Sequence, residues 1–118
     1  MITVIFEVLP HPEYQRTYLD IAADLKPLLN EIDGFISIER FQSLSNPDKI
    51  LSLSFWRDEE AVKEWRNIEA HRAAQSQGRS HIFTDYRLRI ASVIRDYGLN
   101  ERDQAPSDKR AVHTSGTA

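Results

Sequence analysis

The chain has 118 residues, 41% of them apolar and 28% charged, with a net charge of −3 from 15 basic and 18 acidic side chains. That length supports one hydrophobic core rather than two, and the balance is that of an ordinary soluble domain. The acidic excess argues against a nucleic-acid partner, which calls for a basic face. The absence of cysteine excludes disulfides, thiolate nucleophiles and cysteine-ligated metals, and suits the reducing cytoplasm expected here.

Residues 2–9, ITVIFEVL, are rich in β-branched and aromatic side chains. The apolar run is short and no basic segment precedes it, so it predicts a strand rather than a signal peptide or membrane span. No other window approaches the length of a transmembrane helix, and no membrane partner is expected. Ile2, Val4, Phe6 and Val8 line one face of this strand; Thr3, Ile5, Glu7 and Leu9 line the other, which is also half apolar. Both faces therefore require cover.

His11-Pro12 opens a helix over about 12–29, since proline suits a first helical position. Tyr14, Tyr18, Ile21, Leu25 and Leu28 form its apolar stripe. Pro27 predicts a kink or an early end. Residues 35–43 and 50–56 read as strands joined by the turn 43–49, which contains Asn46-Pro47: a hairpin. Leu51, Leu53 and Phe55 share one face of the second of these strands.

Asp58 is suited to cap a helix over about 59–76, with Glu59 and Glu60 in its first turn and Gly78 beyond its end. Ala61, Val62, Trp65 and Ile68 fall in one sector, and Glu59–Lys63 forms an i,i+4 pair on the wet face. Residues 79–85 read as a loop and 86–97 as a long final strand. Polar residues 99–118 read as a flexible tail, leaving one domain over 1–98.

The order β-α-β-β-α-β predicts an α+β fold of ferredoxin-like type, an antiparallel sheet with both helices on one face. The uncovered face of such a sheet, apolar in its first strand, predicts a homodimer.

The chain has no Walker loop, GxGxxG, HExxH or GxSxG motif. His11, His71, His81 and His113 lack metal-ligand spacing, so no metal site is expected. The informative stretch is 55–97. Phe55-Trp56 ends a strand, Trp65 follows on a helix, and His71 comes six residues later. Ala74-Gln75 and Gly78-Arg79 precede the last strand. With the element order, these residues resemble the antibiotic biosynthesis monooxygenase family, a group of dimeric α/β barrels.

The resemblance implies a monooxygenase that oxidises a phenolic, quinol or polyketide-like aromatic substrate with O2 and no bound cofactor. Such a substrate loses a proton, its anion passes an electron to oxygen, and the radical pair recombines. The resemblance makes His71 and Trp65 the candidate catalytic residues, His71 as base and Trp65 orienting a flat ring. Gln75, Trp56 and Phe41 are the candidate substrate-binding residues. Each also has a plainer reading. Trp65 sits where a core residue would, His71 lies at the rim of the stripe, and Gln75 suits solvent.

Haem-degrading relatives carry a ligand histidine ten residues after the helix tryptophan, where this chain has Gln75, and an asparagine on the first strand, aligned with Glu7. The polyketide-oxidising branch has an asparagine where this chain has Ala61. Two further readings stay open: a non-catalytic small-ligand-binding or stress-response protein with the same barrel, and haem degradation.

Overall fold

A computed structural model of the chain describes residues 1–75 and 82–107, with side chains described to Glu69 and again from Ile82. The elements are β1 (Ile2–Pro10), a 3-10 turn (Pro12–Tyr14), α1 (Gln15–Leu29), β2 (Phe35–Gln42), β3 (Ile50–Trp56), α2 (Glu59–Gln75) and β4 (Phe83–Ser92). They form one antiparallel sheet in the order β2-β3-β1-β4, the ferredoxin-like arrangement expected from the sequence. No helix among the described residues is long and apolar enough to cross a membrane.

Three boundaries differ from expectation. The opening of the first helix is a separate 3-10 turn, which leaves Tyr14 exposed and shifts the buried stripe to Tyr18, Ala22, Leu25 and Leu29. Pro27 lies inside α1 without stopping it before Leu29, because the bond it forfeits is one of the last in the helix. The final strand runs over 83–92 rather than 86–97, since its register is set by β1, which has no partner left beyond Ile2↔Ser92. One further bond, from Val93 N–H to Met1 O at 3.0 Å, ends the pairing. Gly78 and residues 79–81 lie outside the described residues, while 83–85, expected as loop, already belong to β4 through their pairing with β1.

The helix-side core divides into two clusters. Trp56, Leu29, Ile32, Ala61 and Val62 form one, joined at its edge by Trp65 and Ile68. Val8, Tyr18, Ile50 and Ile82 form the other, with Phe6, Ile21 and Phe83 against it. α1 and α2 therefore run antiparallel: Leu29 packs beside Ala61 and Val62, while Tyr18 lies within electrostatic reach of Glu69.

The α1–β2 turn is fastened to the start of α2. Arg57 donates to both oxygens of Asp33, at 3.1 and 3.2 Å, and its backbone N–H donates to Gly34 O at 2.7 Å. Asp58 caps α2 through Ala61 N–H at 3.0 Å; that bond, then Arg57, holds its carboxyl below the ordinary range. Residues 93–106 form neither helix nor strand, yet Gln104 accepts from Asp96 N–H at 2.7 Å and Ala105 is buried.

Gly34 occupies φ +95°, and a Cβ there would stand 3.0 Å from Ala61 Cβ. Gly34→Ala is therefore expected to lower stability by ~1–3 kcal/mol, read from chemical denaturation midpoints at unchanged m-value. An unchanged midpoint would show that this turn is not the fastening described.

Candidate functional site

Strand register divides the sheet into two faces of different chemistry. Paired residues on neighbouring strands share a face. The helix side carries the rows Ile38–Ser54–Val4–Ile90, Arg40–Ser52–Phe6–Leu88 and Gln42–Ile50–Val8–Tyr86. The other side carries Ser37–Phe55–Thr3–Ala91, Glu39–Leu53–Ile5–Arg89 and Phe41–Leu51–Glu7–Arg87.

On the helix side, β3 presents small serines between its buried ends Ile50 and Trp56. Ser54 Oγ accepts from Trp56 Nε1 at 2.9 Å, which satisfies the buried indole. The middle row therefore interrupts the apolar core with Arg40 and Ser52. Farther across the same face, Tyr86, Leu88 and Ile90 of β4 remain 60%, 49% and 40% exposed beside Phe6 and Val4. The result is an apolar shelf on β1 and β4, flanked by the polar middle row. At one end of the shelf, aromatic rings meet: Phe6 and Phe83 at 6.0 Å, Phe6 and Tyr86 at 5.7 Å, Tyr18 and Phe83 at 5.6 Å. A flat, mainly apolar molecule is the ligand such a surface would take.

Tyr18 reaches down from α1 and is buried. Burial pushes its phenol above the ordinary range, while the Arg40 guanidinium within hydrogen-bonding reach pulls the other way.

The opposite face is uncovered. Leu51, Leu53 and Phe55 are half-buried there with Ile5, and Phe41 is exposed. Glu7 sits among them, bonded to Arg89 at 3.0 Å and approached by Lys49 at 3.4 Å. Arg89, then Lys49, holds its carboxyl below the ordinary 4.5.

The structure brings together some of the residues singled out in the sequence and separates others. Trp65 lies at the edge of the Trp56 cluster, and both stand on the helix side. Trp56 is 1% exposed, so it supports the site from within the core. Phe41 is on the opposite face, paired with Leu51. His71 and Gln75 lie on the last turns of α2, but their side chains fall outside the described residues. Glu7 stands on the outer face, away from Trp65. Among the described residues no group of three His, Asp or Glu is placed to hold a metal ion. No motif in the sequence marks Tyr18, Arg40 or the Tyr86–Leu88–Ile90 strip as site residues; strand register alone brings Arg40 and the strip to the helix side. The alternation of LSLSFW, serines against leucines, was the available signal for two faces.

The sequence profile described as "Antibiotic biosynthesis monooxygenase" matches residues 1–77. A jasmonate monooxygenase, ABM, of Pyricularia oryzae is 48% identical over 101 residues, covering 86% of this chain and 47% of that protein. The chain thus spans about half the length of that relative. Among solved structures, Rv0793 of Mycobacterium tuberculosis is similar with a TM-score of 0.70 at 14% identity, covering 82% of this chain and 98% of that one. The haem degrader MhuD of the same organism, with two haems bound in its active site, is similar with a TM-score of 0.65 at 16% identity, covering 83% and 100%. Those two likenesses attest the fold; the profile match over more than half of the sequence attests the family. The chain belongs to the antibiotic biosynthesis monooxygenase family.

Proposed function

We propose that the protein is a monooxygenase acting on a small, ring-bearing, mainly apolar molecule held on the helix side of the sheet. The observation that carries the reaction class is the 48% identity to the jasmonate monooxygenase. The apolar shelf of Val4, Phe6, Leu88 and Ile90 supports the location. Trp65 stands at the edge of the helix-side core, and His71 and Gln75 follow on the same helix.

For a quinol substrate the electrons balance without a further reductant: quinol plus O2 gives hydroxyquinone plus water. His71 takes the hydroxyl proton, the anion reduces O2, and a carbon–oxygen bond forms when the radicals combine. Trp65 fixes the ring plane and Gln75 donates to the substrate oxygen. Trp56 backs the site, whereas Phe41, on the outer face, belongs to the proposed contact between two copies rather than to the substrate site. Hydroxylation of a saturated carbon, as in a jasmonate-like cyclic keto acid, requires two additional electrons from an external donor.

Oxygen uptake above autoxidation tests the reading directly. The panel comprises quinols and hydroxynaphthoquinones, and jasmonic acid with NADPH or ascorbate as donor. Product mass is read alongside uptake. Wild type is expected to turn over at least one of them. His71→Ala is expected to lower kcat by about 10²–10⁴, the usual worth of a positioned base. Trp65→Phe should retain the fold and lose less. Binding without uptake across the panel would establish a non-catalytic ligand-binding protein instead.

We further propose that the uncovered face is where two copies meet, forming the dimeric barrel. Half-buried Leu51, Leu53, Phe55 and Ile5 are the apolar centre of that contact. Sedimentation velocity at micromolar concentration is expected to give a dimer mass, and Leu53→Asp a monomer. A monomeric wild type would sink the proposal. Glu7 supplies a pH dependence. Its folded-state pKa is lowered, so its stabilising contribution is present above the ordinary value of 4.5 and lost as pH falls through the lowered one. The folded chain should therefore lose a small increment of stability on acidification through that range, read from denaturation midpoints, and Glu7→Gln should remove that acid-dependent part.

A further inference from the structure

We infer that Arg40, presented with Tyr18 between the two apolar clusters, anchors an anionic group of the substrate, so that the preferred substrates carry a carboxylate or phenolate at one end of an apolar body. The inference rests on the helix-side reading above and adds the chemical class of ligand to it.

Arg40 projects to the helix side in the row that continues through Ser52 and Phe6 to Leu88. Its Nε is buried and meets no acceptor among the described residues. A buried, unused donor on a guanidinium carries a desolvation cost that an incoming anion would remove. Arg40 as a whole is only half-buried, which leaves the side chain a way to solvent. Ser52, the next residue across the row, is small. No bulky side chain of that row therefore stands between the guanidinium and Phe6. Four strands at ~4.8 Å spacing make the row about 14 Å wide, enough for a charged head at one edge and a ring-bearing body toward the other.

The plain alternative is that Arg40 merely balances local polar groups. Tyr18 lies within its reach, and Glu69 of α2 contributes negative charge to the same region. That role would move stability when Arg40 is replaced, but not the discrimination between a charged ligand and its neutral twin.

Matched ligand pairs separate the two. Binding of jasmonic acid against methyl jasmonate, and of 1-hydroxy-2-naphthoic acid against its methyl ester, would be measured by calorimetry on wild type, Arg40→Gln, Arg40→Lys and Tyr18→Phe. Thermal melts would be run alongside. Wild type is expected to prefer the acid of at least one pair by roughly tenfold or more, the worth of one charge-assisted hydrogen bond. Arg40→Gln should erase that preference, bringing the affinity for the acid to that for the ester. Arg40→Lys keeps the charge but lacks the Nε donor, so it should retain part of the preference; it also covers the case in which the glutamine variant does not fold. Equal wild-type affinity for acid and ester, or a preference that survives Arg40→Gln, overturns the anchor while the monooxygenase reading stands. No binding of any of the four, together with no uptake across the oxygen panel, overturns both.

Discussion

The alternation of side chains along β3 is the constraint on which the rest of the structure depends. Successive residues of a strand must face opposite ways. In Ile50–Trp56 this sends Ile50, Ser52, Ser54 and Trp56 towards the helices and Leu51, Leu53 and Phe55 away from them. The bulk of the apolar side chains of a central strand thus lies on the face no helix covers. The helix side receives two serines in its middle. A one-residue slip would place the leucines under α1 and α2 and turn Ile50 and Trp56, the buried ends of the strand, out of the two core clusters. The observed register instead yields two surfaces that each call for a partner of a different kind.

The helix side depends on how the two core clusters are held apart. Trp56 anchors one, buried and satisfied by Ser54; Val8 and Tyr18 anchor the other. The antiparallel helices bridge them, and the Asp33–Arg57–Asp58 bonds hold the start of α2 against the end of α1. These exposed ion pairs add little energy singly, but they fix where α2 begins, and hence where Trp65 and the turns beyond it fall. The shelf on β1 and β4 is left open as a consequence. The outer face follows a different logic: an apolar centre flanked by charged side chains, with Glu7 held between Arg89 and Lys49. Ion pairs this exposed add little stability singly.

The fold was legible because its signals are local. The alternating strands, the Asn46-Pro47 turn, the Asp58 cap and the Ala61–Val62–Trp65–Ile68 sector are each contained within a few residues. The end of the last strand was not, because β4 stops where β1 runs out of partners rather than where its own pattern changes. Nor was the Tyr18–Arg40 meeting, which joins a helix to an edge strand through register alone. Glu7 shows the same limit. In the sequence it is a lone acid on an apolar strand, and only the strand register brings Arg89 and Lys49 to it.

Methyl-detected NMR during titration with jasmonic acid and with a hydroxynaphthoic acid tests the division of the sheet most directly. The account predicts that the methyls of Val4, Leu88 and Ile90 shift with saturable dependence on ligand, while those of Ile5, Leu51 and Leu53 do not. Shifts confined to Ile5, Leu51 and Leu53 would place the ligand on the outer face and contradict it.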